Sequence, residues 1–183
     1  MLFKYGFVDV QEQNKFARMQ IKKNKKIKKI YNNLKIKKNF YNLILVADVL
    51  EHIRQPNYLL KILKKCLKEN GYILFTVPSY QFLFNNKDKS LGHYRRYNQE
   101  SLLKVICKFQ IIKISYFNTI LFLPIALITL LNKIFRINYI EKAETTPHYI
   151  INKILYLSFS LESHLVKYFN FPFGLSIYAL VKK

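Results

Sequence analysis

The feature of this sequence that most constrains its fold is a pair of short apolar runs separated by a helical pattern. Residues Phe40 to Ala47 form one continuous run, and Tyr72 to Val77 form another that stops at Pro78. Runs of this length are typical of parallel strands covered by helices on both faces. Between them, Pro56 to Lys68 carries leucines at positions 59, 60, 63 and 67, the spacing of an amphipathic helix.

The rest of the chain continues this alternation of strand and helix. The predicted strands are Leu2 to Val10, Ile27 to Tyr31, Phe40 to Ala47, Tyr72 to Val77, Phe109 to Phe117 and Leu175 to Val181. The predicted helices are Gln11 to Ile21, Pro56 to Lys68 with Asn70-Gly71 as its end signal, Asn98 to Lys108, and two across Asn118 to Asn170. Ser79 to Tyr97 is predicted to be a loop.

This pattern predicts an α/β domain with a mostly parallel sheet and flanking helices. The length of 183 residues fits one domain over residues 1–183, with residues 118–170 as a helical insertion before the last strand. Cys66 and Cys107 are the only cysteines, which excludes a disulfide framework and suggests a reducing compartment. Met1 to Val10 lacks the apolar core of a secretory signal, so we expect a cytoplasmic protein.

The net charge of +21 has two interpretations. It could attract nucleic acid or an anionic membrane surface. It could equally reflect a compositional bias toward Lys, Asn and Ile. Nine lysines lie between Lys22 and Lys38, interspersed with Asn and Ile in a low-complexity pattern. A nucleic-acid surface more often mixes arginine with aromatic residues. We therefore favour the compositional interpretation and expect no specific nucleic-acid partner.

Two apolar segments bear on membrane contact. Ile120 to Leu131 is strongly apolar but shorter than the roughly 20 residues that a spanning helix needs. It therefore predicts a buried or interfacial helix. Tyr149 to Phe169 is also apolar-rich. Together they support an alternative function, a non-catalytic basic module that associates peripherally with anionic membranes, at the inner face of the membrane.

Candidate functional residues follow the predicted strands, because ligands bind beyond the carboxyl ends of strands in open parallel sheets. Asp9 ends the first strand, and its two carboxylate oxygens could accept hydrogen bonds from both hydroxyls of a ribose. Asp9 also precedes a predicted helix and could be its N-cap. The spacing alone supports both interpretations equally.

The second candidate group follows the strand at Phe40 to Ala47. Asp48, Glu51 and His52 stand at positions i, i+3 and i+4, which share one face of a helix. Two carboxylates and an imidazole could hold a divalent cation or supply a base next to a substrate hydroxyl. In the alternative interpretation, Asp48 caps the following turn and His52 packs in the core.

The third candidate group is the polar loop from Asp88 to Tyr97. It contains His93 and the paired arginines Arg95 and Arg96. Loops positioned by a rigid sheet often carry function, and paired arginines suit a carboxylate or phosphate on a substrate. The alternative is a solvated, charged surface.

Several of these stretches resemble one known family, the class I S-adenosylmethionine-dependent methyltransferases. Asn42 to Ile53 resembles the family's fourth-strand motif, and Gly71 to Pro78 resembles its fifth-strand motif. Gly92 to Tyr97 resembles the loop after that strand in a bacterial and archaeal subgroup. Leu2 to Asp9 with Ala17 resembles the second strand and its helix. The ordered set is more specific than any one motif.

The resemblance implies a Rossmann-like fold and methyl transfer from S-adenosylmethionine to a small-molecule or lipid-like acceptor. It implies that Asp9 binds the cofactor's ribose. It also implies that Ala47 and Asp48 flank the cofactor near its amino-acid or methyl end. In this chemistry the protein mainly aligns the nucleophile with the methyl group and removes a proton.

The resemblance also assigns the remaining candidates. Related quinone-type O-methyltransferases carry an acidic-x-x-Glu-His motif linked to a divalent cation, which Asp48, Glu51 and His52 match, with His93 as a further ligand. The same four residues are the candidates for catalysis. The residues expected to bind substrate are Arg95, Arg96 and Tyr97.

The sequence departs from the family at its beginning. The family's first strand and its Gly-rich loop normally precede the second strand, whereas the four glycines here, Gly6, Gly71, Gly92 and Gly174, lie far apart. We therefore expect a sheet that is incomplete at the N-terminus, with unpaired edges where the first strand would lie. We expect either a truncated and inactive gene product or a partner that supplies the missing element.

Overall fold

The computed structural model describes residues 5–8, 38–135 and 149–183, which form a five-stranded sheet and five helices. The strands are β1 (Tyr5–Val8), β2 (Tyr41–Ala47), β3 (Leu67–Pro78), β4 (Gln110–Phe117) and β5 (Ser176–Lys182). The helices are α1 (Pro56–Cys66), α2 (Asn86–Leu91), α3 (Gln99–Ile106), α4 (Phe122–Ile134) and α5 (Tyr149–Leu165). Short 3₁₀ turns lie at Leu50–His52 and Gln81–Leu83.

The strand order in the sheet is β1-β2-β3-β5-β4. β1 pairs with β2 and β2 pairs with β3 in parallel, whereas β5 is antiparallel to both β3 and β4. Four strands therefore share one direction, and their carboxyl ends lie at one edge of the sheet. The predicted α/β fold, with a mostly parallel sheet, flanking helices and helices before the last strand, is confirmed.

The edge of β2 differs from expectation. The missing first strand of the family was expected to leave this edge unpaired. Instead β1 pairs with this edge in parallel. Tyr5 lies opposite Leu43 at one end of the pairing, and Val8 lies opposite Val46 at the other. An apolar strand with open backbone donors and acceptors is costly, and β1 satisfies these groups. The expectation of unpaired edges was therefore wrong for β2. β1 pairs directly with β2, where the family's first strand was expected to lie between them.

The core lies between the central strands and the helices that cover them. Val46 of β2, Phe75 of β3 and Ile177 of β5 are each at most 1 % exposed. The amphipathic helix predicted from the leucine spacing is confirmed in α1, because Leu59, Leu60 and Leu63 all belong to this core. Burial of these side chains supplies most of the stabilisation of the sheet.

The end of α1 corrects a second prediction. Asn70-Gly71 was expected to end a helix at Lys68, but α1 ends at Cys66 and Asn70-Gly71 lies within β3. The pairing of β3 with β2 shifts register here, and Asn70 has a φ of 62°. A Cβ atom on Gly71 would lie 2.9 Å from the Lys68 carbonyl oxygen. Asn70-Gly71 therefore accommodates an irregularity in the strand. Such an irregularity needs a residue with left-handed backbone angles, and so does the end of a helix.

The polar loop after β3 contains a helix that was not predicted. α2 begins with a capping box, in which the Asn85 side chain accepts from the backbone N–H of Asp88 and the Asp88 carboxylate accepts from that of Asn85. The spacing Asn-x-x-Asp is a sequence signal for such a start. The next helix was predicted to begin at Asn98, and Asn98 is its N-cap, because its side chain accepts from Ser101 N–H at 2.7 Å.

α4 corrects a third prediction in part. The helix overlaps the predicted apolar segment and continues three residues beyond it, but Ala126 is its one buried residue, and Leu123 and Ile134 are 67 % and 71 % exposed. A buried helix is therefore wrong, and an interfacial helix stays a prediction. Of the helices in the described parts of the chain, none has both the length and the apolar content that a membrane span requires.

Some predictions concern residues that the structure does not describe. The candidate ribose ligand Asp9, the helix predicted at Gln11 to Ile21 with Ala17, and the strand predicted at Ile27 to Tyr31 lie outside the described residues. These assignments stay predictions.

Gly174 provides a test of the packing at the carboxyl edge of the sheet. A Cβ atom there would lie 2.3 Å from the Phe117 carbonyl oxygen and 2.9 Å from the Phe117 carbonyl carbon. Backbone atoms cannot move aside cheaply, so Gly174→Ala should lower the free energy of unfolding by about 2 kcal/mol. Urea denaturation measures this, with Asn170→Ala at an exposed position of the same segment as control. Equal stability of the two variants would contradict the close approach.

Candidate functional site

The candidate site begins where β2 ends, at Ala47 and Asp48. Asp48 has a φ of 51°, a conformation unfavourable for a residue with a side chain. Hydrogen bonds to β3 compensate, because Asp48 N–H donates to the Thr76 carbonyl at 3.0 Å and the Thr76 hydroxyl donates to Asp48 Oδ1 at 3.2 Å. The Asp48 residue stays solvent-exposed at this edge. The surrounding protein raises its pKa by partial desolvation, against the Thr76 hydrogen bond and the nearby His93.

Glu51 lies in the 3₁₀ turn after β2 and is completely buried. Neither of its carboxylate oxygens has a hydrogen-bond partner among the described residues. Burial raises its pKa to about 8, and the charges of Asp48 and Asp88 add to the rise, whereas its own backbone amide and the Arg96 charge oppose it. Glu51 therefore carries its proton at neutral pH, because a buried carboxylate without donors is costly.

His52 and His93 lie edge to face, with ring centroids 4.5 Å apart. Burial lowers the pKa of His52 to about 4, and the neighbouring His93 contributes. The His52 Nδ1 atom is buried and has no partner among the described side chains and backbone groups. His93 differs, because its Nδ1 lies 2.8 Å from Asp88 Oδ1. A carboxylate can only accept, so Nδ1 carries a proton, and in the neutral imidazole the lone pair is then on Nε2.

Asp88 organises the loop that carries His93. Its carboxylate is 2 % exposed and accepts from Arg96 Nε at 2.9 Å and Arg96 Nη2 at 3.0 Å, in addition to His93 and the Asn85 backbone. Burial alone would raise the pKa of Asp88, but these hydrogen bonds lower it to about 2. Asp88 was not among the site residues expected from the sequence, although its capping-box spacing was a usable signal.

The three residues predicted to bind substrate make contacts within the protein. The Arg96 guanidinium pairs with Asp88, and the Arg95 guanidinium donates to the Arg54 carbonyl at 2.8 Å. Tyr97 is 2 % exposed, and its hydroxyl donates to the Leu50 carbonyl. Burial raises the pKa of Tyr97 to about 12. These contacts give Arg96 and Tyr97 a part in holding the loop, and their binding of substrate stays a prediction.

One group of side chains could hold a metal ion. Glu51, His52 and His93 each offer a ligand atom, and these atoms lie within 4.8 Å of one another. The predicted set contained Asp48, but Asp48 lies outside this group. The i, i+3, i+4 argument requires an α-helix that includes Asp48, whereas the chain makes a 3₁₀ turn that begins only at Leu50. The neighbour that completes the cluster is His93, from the loop after β3.

The buried Glu51 carboxyl should make stability depend on pH. Its folded pKa of about 8 lies above its ordinary value of 4.5, so the stabilisation is full below about pH 4.5 and is lost as pH rises through 8. Between about pH 5 and pH 8 the wild-type protein should lose about 3 kcal/mol relative to Glu51→Gln.

Urea unfolding at several pH values, in the presence of a chelator, measures this difference. Glu100→Gln, at an exposed position on α3, is the control and should keep the wild-type slope. Parallel pH curves for Glu51→Gln and wild type would contradict the buried, protonated carboxyl.

Three of the similar solved structures are methyltransferases. An S-adenosylmethionine-dependent methyltransferase from Archaeoglobus fulgidus has 13 % identity, covers 80 % of this chain and has a TM-score of 0.44. Phosphoethanolamine N-methyltransferase 2 from Haemonchus contortus, in complex with S-adenosylmethionine, has 17 % identity, covers 81 % of this chain and has a TM-score of 0.45. A methyltransferase from Thermotoga maritima has 16 % identity, covers 82 % of this chain and has a TM-score of 0.45.

This chain spans 61 %, 34 % and 60 % of the lengths of those three structures, respectively. Among curated proteins, no significant match was found. The comparison that assigns the family is with family models. The model described as a methyltransferase domain matches residues 3–118, which is more than half of the chain and includes β1 to β4 and the whole candidate site. The chain therefore belongs to the methyltransferase-domain family, of the class I S-adenosylmethionine-dependent type.

Proposed function

We propose that this chain binds S-adenosylmethionine at the carboxyl ends of β2 and β3 and supports methyl transfer to a small-molecule or lipid-like acceptor. The observation that carries the proposal is the position of Asp48. It is an exposed carboxylate at the end of β2, held in a left-handed conformation by Thr76 of β3. Asp48 and Ala47 then flank the cofactor, and the carboxylate attracts the ammonium group of its methionine part.

Bound S-adenosylmethionine would supply a sulfonium methyl group, which would bond to the acceptor atom as the carbon–sulfur bond breaks and its electron pair goes to sulfur. A base on the protein would take the proton that the acceptor loses. The protein's main contribution is to align the two reactants and to exclude water.

Among the predicted catalytic residues, His93 is the best placed base. Asp88 holds its Nδ1 proton, so Nε2 offers a lone pair to an acceptor hydroxyl or amine. Glu51 carries its own proton at neutral pH and cannot accept another. His52 has a pKa of about 4 and is therefore a weaker base. In this assignment Asp88 is a positioning residue, and Glu51 and His52 are neighbours of His93.

The alternative for the same cluster is a divalent cation bound by Glu51, His52 and His93. The donor set fits, because one carboxylate and two imidazoles suit ions such as Zn²⁺ or Mn²⁺ better than Mg²⁺. The unpartnered Glu51 oxygens and His52 Nδ1 supply the ligand atoms. Such a cation would lower the pKa of an acceptor hydroxyl. The lone pair of His93 would then coordinate the ion, so His93 could not act as the base.

Calorimetric titration tests cofactor binding by the 183-residue chain. Asp48→Asn keeps a hydrogen-bond acceptor but removes the charge, so it should weaken S-adenosylmethionine binding by about tenfold. Glu69→Gln is the matched control, because it makes the same kind of change at an exposed position at the opposite edge of the sheet. Absence of heat for the wild-type chain at millimolar cofactor would overturn cofactor binding by this chain alone and would favour a partner that supplies the Gly-rich element.

A second experiment separates the base from the cation. His93→Gln should lower kcat by about 100-fold with little change in KM if His93 is the base, and a chelator should not affect the wild type. If the cluster holds a cation, wild-type protein should bind Zn²⁺ or Mn²⁺ by calorimetry, and both Glu51→Gln and His93→Gln should abolish that binding. His164→Gln, an exposed histidine on α5, is the control in both arms. Unchanged kcat and no metal binding would reject both assignments.

A further inference from the structure

α4 and α5 each expose apolar side chains that the methyltransferase site does not explain. We call six of these aliphatic side chains, each more than half exposed, the α4–α5 surface. They are Leu123, Leu127 and Ile134 of α4 and Ile151, Ile154 and Leu161 of α5. In each helix the spacing places them in one stripe. Single exposed leucines are ordinary on protein surfaces, but two such consecutive helices indicate an interaction site.

Within α4 and α5 the acidic residues leave no exposed negative charge. α4 contains no acidic residue, and Glu162 is the one acid of α5. Glu162 is 6 % exposed, because its carboxylate turns inward and accepts from Thr119 N–H at 2.9 Å and 3.2 Å. Among the described residues, the exposed lysines on these helices and directly after α5 are Lys133, Lys153 and Lys167. An apolar face bordered by lysines suits an anionic, partly apolar partner.

α4 is anchored to the loop after β3, which also carries His93. The Phe122 ring lies 5.3 Å from the Tyr80 ring, and Tyr80 in turn stacks on Tyr116 at 5.1 Å. Lys133 donates to the carbonyl oxygen of Phe82. Tyr80 and Phe82 follow the carboxyl end of β3 directly, so the start of the α4–α5 surface adjoins the edge of the sheet where Asp48 lies.

We infer that the α4–α5 surface docks on the headgroup and acyl boundary of an anionic lipid bilayer. The aliphatic stripes enter the boundary, and the lysines contact lipid phosphates. Charge complementarity favours this occupant over a second copy, because two chains of net charge +21 repel each other. Docking would bring a lipid-like acceptor to the carboxyl edge of the sheet, and only that last step rests on the proposed function.

Co-sedimentation with vesicles tests the docking. The 183-residue chain should bind phosphatidylcholine vesicles that contain phosphatidylglycerol, should bind pure phosphatidylcholine vesicles weakly, and should dissociate as salt rises. The double variants Leu127→Gln/Ile134→Gln and Ile154→Gln/Leu161→Gln should each lower the partition coefficient by about tenfold or more.

Tyr58→Gln/Ile112→Gln is the matched control, because it removes two exposed apolar side chains that lie on α1 and β4. It should bind as the wild type does. Equal binding to neutral vesicles, or stripe variants that bind as tightly as the control, would overturn the inference. So would a dimer in sedimentation without lipid that the stripe variants convert to monomers.

The same variants separate this inference from the proposed function. Calorimetry with S-adenosylmethionine in the absence of lipid should give wild-type affinity for both stripe variants, because neither touches Asp48. Vesicle binding without cofactor binding would reject the proposed function and keep the docking. Cofactor binding without vesicle binding would reject the docking and keep the proposed function.

Discussion

The loop after β3 depends on the buried carboxylate of Asp88. A buried anion is tolerated only when donors replace its lost water, and here Arg96, His93 and the Asn85 backbone provide them. Each donor belongs to a different part of the loop, so one carboxylate ties the start of α2 to the residues that follow it. The result is a fixed position for His93 beside His52. Without this anion the loop would lose both its charge balance and its shape.

The site therefore contains two buried carboxyl groups in opposite states. Asp88 is held ionised, with a pKa of about 2, whereas Glu51 is held neutral, with a pKa of about 8. The difference arises from their donors and not from their burial, since both are almost inaccessible to water. Pairs of titratable groups whose environments separate their pKa values in this way are typical of catalytic sites. The ionised Asp88 carboxylate also engages Nδ1 of His93 in a hydrogen bond.

How far the sequence predicts this molecule depends on whether a signal is local. The continuous apolar runs predict β2 and β3, and the Asn98 side chain predicts the start of α3, because strand burial and capping are properties of short segments. Asn70-Gly71 misled because one left-handed backbone conformation serves both a helix end and an irregular strand. Glu51, His52 and His93 were all candidates, but their spacing in the sequence grouped only Glu51 and His52, together with Asp48. The contact between His93 and His52 joins positions that are 41 residues apart, so no local pattern could indicate it.

The exposure of α4 could not be predicted either, because it too depends on more than a local pattern. This exposure also raises the question of why so apolar a helix lies on the surface. The helical pattern is local and predicts the helix, whereas burial depends on a partner that the pattern does not specify. Among the described residues, the hydrophobic core is built from β2 to β5, α1, α3 and nearby loops, and it includes no residue of α4 or α5. The apolar side chains of these two helices therefore contribute little to the packing of the sheet. Their retention on the surface is costly in water, and a lipid boundary removes that cost while leaving the core unchanged.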